Sequence, residues 1–150
     1  ATGASAVVVE ILDRHSTHFH AAPMDSLRTQ IARTFAGNSV VAIFEALERE
    51  ESDFGAETLA ILSGKSPTAL CASFEQIRQG KDMSLAEVLN MEFRMSQRMV
   101  CKPDLFEGVR AVIVDKDHTP KLQHGDIGQV DPREVAEYFE PLPEDKELNL

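Results

Sequence analysis

An all-α chain of six to seven helices is predicted on three observations. Helix-start signals recur from residue 24 onward, apolar positions repeat at the 3.6-residue helical period, and no segment makes a convincing strand.

Met24 to Phe35 carries apolar residues at 24, 27, 31 and 35, the stripe of an amphipathic helix, and Gly37-Asn38 ends it. Asn38 or Ser39 then caps a helix over Val40 to Glu50, and Ser52 or Asp53 starts a third that ends near Gly64. Ser66-Pro67 offers a hydroxyl to an orphan N–H and places Pro at the first helical position; that helix stops at Gly80. Ser84-Leu-Ala-Glu87 is a capping box opening the longest helix, to about Met99. Asp104-Leu-Phe-Glu107 repeats the logic with Asp as the cap. Four β-branched residues among Val109 to Val114 suit a helix or a strand. Asp131-Pro132 starts a short last helix reaching about Phe139. Pro141 and Pro143 then lead into an acidic tail, 141–150, expected to be disordered. Residues 1–23 stay undecided, since the apolar run Ala6 to Leu12 reads equally as strand or helical turn.

The chain has 150 residues and a formal charge of −10, and its length alone fits one domain. The acidity is uneven: residues 37–64 carry −5 and 123–150 carry −6, while 65–103 carry +2. Nucleic acid is not an expected partner, because binding it needs a basic stripe that displaces counterions from phosphates. A membrane is not expected either, since no apolar run exceeds half a dozen residues against the roughly 20 that span a bilayer. Ala1 to Glu10 lacks an initiator Met and a charged n-region, so it does not read as a signal peptide. Cys71 and Cys101 form no CxxC pair, a pattern that fits a reducing compartment rather than a disulfide scaffold or a cysteine-rich zinc site.

Chemistry-bearing motifs are sparse. His15, His18 and His20 lack the i, i+4 spacing of two ligands on one helical face, so no metal site is expected and they read as solvated loop residues. Ser63-Gly64-Lys65-Ser66 imitates the end of a phosphate-binding loop, but Leu59 stands where its first Gly belongs. No GxSxG elbow supplies a serine nucleophile. Cys71 falls at a helical core position, and Cys101, beside Lys102 near a helix end, is the more reactive of the two thiols. Glu92 falls on the apolar stripe marked by Leu85, Val88, Leu89, Met95 and Met99. A carboxylate there must be paired or shift its pKa upward. A structural partnership with an arginine such as Arg110 is expected ahead of a role as site acid or base. Arg94 and Arg98 are expected on the opposite, more polar face.

Three segments occur in an order that carries a resemblance: Ser66-Pro-Thr-Ala-Leu70, Ser84-Leu-Ala-Glu-Val-Leu-Asn-Met-Glu-Phe-Arg-Met-Ser-Gln97, and Glu107-Gly-Val-Arg-Ala-Val-Ile-Val-Asp-Lys-Asp-His-Thr-Pro-Lys121. Over residues 24–140 the chain resembles the C-terminal region of the 3-hydroxyisobutyryl-CoA hydrolase branch of the crotonase (enoyl-CoA hydratase/isomerase) superfamily. The resemblance implies the helical C-terminal portion of a crotonase-like fold and turns Val109–Val114 toward helix. It implies a thioester hydrolase of valine breakdown, mitochondrial in eukaryotes, with CoA as part of the substrate and no separate cofactor. The oxyanion hole and acidic residues of that family belong to an N-terminal core that no segment here matches, so no catalytic residue is expected in these 150. The helical region would pack on that core, close the acyl-CoA pocket, or associate with itself. Lys116 and Lys121 become candidate contacts to CoA phosphates, with a plain exposed lysine equally open. Two departures stand out: Leu122 replaces the Trp of the family's Pro-Lys-Trp, and Val100-Cys-Lys-Pro-Asp104 replaces its Gly-His-type connection. A non-catalytic interaction subunit derived from the same fold, or a hydratase or isomerase, are the alternatives.

Overall fold

The computed structural model describes residues 2–16 and 22–148. The chain divides into two units, Ala1–Ala32 and Arg33–Leu150. The first begins with α1 (Thr2–His15), so the undecided leading segment is helical over that span. Its Val7, Val8, Val9, Ile11 and Leu12 are all more than half exposed, and Arg14 pairs with Glu10 one turn back at 3.0 Å. A 3-10 turn over Pro23–Leu27 leads into α2 (Arg28–Thr34). The single helix expected over 24–35 is thus two pieces. Asp25 is the reason, since its carboxylate accepts from Ala22 N–H at 3.1 Å and Arg28 Nε at 2.6 Å and holds the tighter turn.

The second unit contains α3 (Val40–Glu48), α4 (Asp53–Ser63), α5 (Pro67–Gly80), α6 (Leu85–Met99), α7 (Pro103–Val109) and α8 (Pro132–Glu137). Among the described residues there is no strand. Hydroxyl caps start most of these helices. Ser39 accepts from Ala42 N–H, Ser52 from Gly55 N–H and Ser66 from Ala69 N–H, at 3.1 to 3.3 Å. Ser84 and Glu87 complete the expected capping box, with Ser84 N–H donating to the carboxylate at 2.7 Å. Each such cap satisfies a donor the helix leaves orphaned and contributes about 1 kcal/mol.

Helix α5 is the centre of packing, touching α3, α6, α8 and a 3-10 turn over Ile127–Gln129. The core gathers Ala72, Met91, Met95 and Tyr138, with Met83, Val88, Met99 and Phe139 against it. On the other side, α3 buries Val40, Ile43 and Leu47 at helical spacing. The corner from α3 to α4 is tight: a Cβ on Gly55 would lie 2.5 Å from the Glu50 carbonyl oxygen. Glu50 closes that corner by accepting from Arg33 and from the Ser52 hydroxyl.

Three expectations need correcting. The buried stripe of α6 runs through Val88, Met91, Met95 and Met99, leaving Leu85 75 % exposed. Glu92 therefore sits outside it, exposed, and accepts a hydrogen bond from Gln76 Nε2 at 2.9 Å. Arg110 is not its partner. Asp104 does not cap α7, whose cap position is Lys102 with Pro103 following. Its carboxylate reaches across the fold instead, accepting from the Ser66 hydroxyl at 2.6 Å and from Gln123 N–H at 2.8 Å. Finally, the tail expected to lack structure carries a 3-10 turn over Glu144–Lys146, with Asn149 and Leu150 outside the described residues. Arg94 Nε donates to both Glu147 oxygens at 2.9 and 3.0 Å, and Arg98 donates to the Pro141 carbonyl at 3.1 Å. Two arginines one turn apart on α6 thus strap the tail down.

No helix among the described residues is long and apolar enough to cross a membrane.

Candidate functional site

The residues singled out in the sequence scatter over the fold. His15 is exposed, while His18 and His20 lie outside the described residues. His124 Nε2 stands 2.9 Å from Glu134 Oε2, a local pair. Among the described residues, no group of three or more His, Cys, Asp and Glu side chains is placed to hold a metal ion. Cys101 is exposed, and Cys71 is half-buried on the wall of a cavity of about 530 Å³ between α3, α5 and α8. Burial, with Glu134 as a lesser cause, pushes the Cys71 thiol up from its ordinary pKa. Phe74, Val135 and Phe139 give that cavity apolar walls, and its charged lining groups, Glu75 and Glu140, are both acidic.

Lys116 and Lys121 lie on one loop of different construction. After α7 the backbone widens into a single π turn over Arg110–Val114, closed by Asp115 N–H donating to the Arg110 carbonyl at 2.8 Å. The β-branched run that read as helix or strand occupies this turn. The chain then leaves as an irregular loop, 115–121. Lys116 (φ 56°) and His118 (φ 54°) adopt the left-handed backbone, which an L side chain occupies at a penalty.

Arg110 makes most of the side-chain bonds that hold this loop. Arg110 Nε and Nη2 grip Glu107 as a fork, at 2.9 and 2.7 Å. Arg110 Nη1 donates to Asp115 and Asp117, each at 2.6 Å, and Nη2 reaches the Thr119 carbonyl at 3.4 Å. Glu107 in turn accepts Lys121 N–H at 2.7 Å, and Asp117 accepts Thr119 N–H at 2.9 Å. Hydrogen bonds from Arg110, then from Lys121 N–H, bring the Glu107 carboxyl down to about 2. Asp117 also falls to about 2, through Arg110 first and Thr119 N–H second. The guanidinium itself is shifted up. Its positive charge is fully engaged, which leaves Lys116 and Lys121 as the exposed cations of the loop.

Beside the loop lies an apolar face. Leu105, Phe106, Val109, Val112, Ile113 and Val114 are each between 42 and 68 % exposed, on α7 and the π turn. Arg110 was not anticipated as the organiser of this region. Its signal was present: Glu107 and Arg110 stand at i, i+3 on a helix, followed by an Asp-Lys-Asp sequence.

Comparison with known proteins gives a consistent outcome. The family model for enoyl-CoA hydratase/isomerase matches residues 1–139. The mitochondrial 3-hydroxyisobutyryl-CoA hydrolase of Dictyostelium discoideum is 50 % identical over 122 residues, which are 80 % of this chain and 32 % of that protein. The human protein of the same name is 34 % identical over 131 residues, 87 % of this chain and 33 % of the relative. Thus the chain spans about a third of the length of these relatives. Among solved structures, an enoyl-CoA hydratase from Rhodobacter sphaeroides superposes with a TM-score of 0.79 at 33 % identity, covering 98 % of this chain and 44 % of that one. A carnitinyl-CoA dehydratase from Mycobacterium thermoresistibile gives 0.85 at 29 % identity, over 97 % and 41 %.

Proposed function

The chain belongs to the enoyl-CoA hydratase/isomerase (crotonase) family, and from that premise we propose that it is the helical C-terminal region of a mitochondrial acyl-CoA thioesterase of the 3-hydroxyisobutyryl-CoA hydrolase type. In this reading the chain contributes no catalytic group. It packs on a catalytic core through the apolar face of α7 and the π turn, helps close the acyl-CoA pocket, and offers Lys116 and Lys121 to the CoA phosphates. The oxyanion stabilisation that dominates such acyl transfers resides in the core.

The observation that carries the proposal is the pairing of that exposed apolar face with an adjoining loop that exposes two lysines, Lys116 and Lys121. An apolar surface suits burial against a protein partner, and a rim cation suits a phosphate.

The test is complementation. The Dictyostelium hydrolase, truncated to remove the region matching this chain, is mixed with the 150-residue chain and assayed for thiol release from 3-hydroxyisobutyryl-CoA. Turnover that needs both pieces supports the proposal; turnover by the chain alone, or no association between the pieces, overturns it. The structural likeness to a hydratase and a dehydratase favours one second reading, hydration of an enoyl-CoA. The same mixture tests it by loss of the enoyl absorbance without thiol release.

A further inference from the structure

We propose that Arg110 is a positioning residue, whose guanidinium fixes the 115–121 loop in the conformation that presents Lys116 and Lys121 to a phosphate-bearing ligand. The inference rests on the phosphate reading of those two lysines and adds what makes them competent. A short loop holding two non-glycine residues in the left-handed region is unfavourable by itself and persists only where its surroundings over-determine it. Here the determinants converge on one group. Arg110 spans four acceptors, on Glu107, Asp115, Asp117 and Thr119, at 2.6 to 3.4 Å.

The consequences reach both lysines. Asp115 and Asp117 flank Lys116, so tethering both to one guanidinium fixes the backbone on either side of it. Lys121 is fixed at one remove, because its N–H donates to the Glu107 oxygen that also accepts Arg110 Nη2. His118 N–H, bonded to the Ala111 carbonyl at 3.0 Å, ties the middle of the loop to the π turn. Arg110 acts electrostatically as well. Its one positive charge offsets part of the three carboxylate charges of Glu107, Asp115 and Asp117, and without it that cluster would repel a polyanion more strongly.

These two contributions separate by substitution. Lysine keeps the charge at 110 but cannot fork across planar acceptors, whereas methionine loses both. The full chain is compared as wild type, R110K and R110M, with amide hydrogen exchange at Thr119 and Lys121 and titration with adenosine 3′,5′-bisphosphate as readouts. Circular dichroism checks that the helices persist. Positioning predicts that R110K exchanges these two amides at least roughly tenfold faster than wild type, as loss of a charge-assisted hydrogen-bond network implies. It predicts weaker bisphosphate binding by a similar factor, and a further loss in R110M. Wild-type exchange rates in R110K would overturn the inference, as would wild-type affinity in R110K despite faster exchange. A wild-type chain that ignores the bisphosphate would overturn the phosphate role of the lysines. The exchange arm would still decide, independently, whether Arg110 holds the loop.

Discussion

Ser66 and Asp104, 38 positions apart, are joined by a 2.6 Å hydrogen bond from the serine hydroxyl to the carboxylate. The same hydroxyl accepts Ala69 N–H at the start of α5, and the other Asp104 oxygen accepts Gln123 N–H. One serine and one aspartate therefore connect the start of the central helix, the first turn of α7 and the segment that follows the lysine loop. Replacing Asp104 with alanine strands two donors, the Ser66 hydroxyl being the more buried. It is expected to destabilise the chain by about 1–3 kcal/mol, read as a lower urea midpoint at unchanged slope. Asparagine should lose less, because its amide can still accept one bond and turn its NH₂ toward Ser66. Equal midpoints for wild type and D104A would refute the role assigned to this bridge.

Acid should release the lysine loop. Glu107 and Asp117 lie at about 2 in the folded chain, against ordinary values of 4.5 and 3.8. A carboxyl whose pKa is depressed by folding stabilises the fold above its unfolded value and loses that contribution as pH falls through the folded one. Loop order should be constant above about pH 5 and decline between there and about pH 2. Carboxyl carbon shifts of Glu107 and Asp117, followed by NMR, check this; midpoints at the ordinary 4.5 and 3.8 would contradict it.

Two glycines should respond with opposite signs. Gly55 has no room for a methyl group beside the Glu50 carbonyl, so G55A should destabilise by about 1–3 kcal/mol through overpacking. Gly108 lies in α7, and a methyl group added there would meet no atom within 4 Å. G108A should stabilise the isolated chain by about 0.5–1 kcal/mol, the helical difference between Gly and Ala. If α7 docks on a core as proposed, the same substitution will weaken complementation while raising the urea midpoint.

The two thiols should alkylate in a fixed order. Cys101 is exposed, while Cys71 is half-buried with its pKa pushed up by burial and by Glu134. Because the thiolate is the nucleophile, iodoacetamide at about pH 8 should modify Cys101 first, seen by peptide mass spectrometry. Simultaneous labelling would show that the cavity wall at Cys71 opens readily.

Local chemistry was legible in the order of residues alone. Ser39, Ser52, Ser66, Ser84 and Asp131 each start a helix where their side chains made it predictable, because a cap acts within three residues of itself. Lys116 and Lys121 were singled out through a family resemblance, and their shared loop lies where that motif stands. Long-range partners were another matter. Asp104 had the local credentials of a cap, but the helix opens at Pro103, two residues earlier than a cap at Asp104 would set it, which frees its carboxylate for Ser66 and Gln123. Glu92 fell on a stripe that could be drawn in two ways, and contact with Ala72 and Tyr138 selected the line through Met91 and Met95. The acidic tail looked unstructured by composition until Arg94 and Arg98 came within reach of it. A helix's beginning is settled by neighbours in the chain. Which carboxylate meets which arginine depends on how the helices come together, since a side chain about 6 Å long has many partners in reach and packing chooses among them.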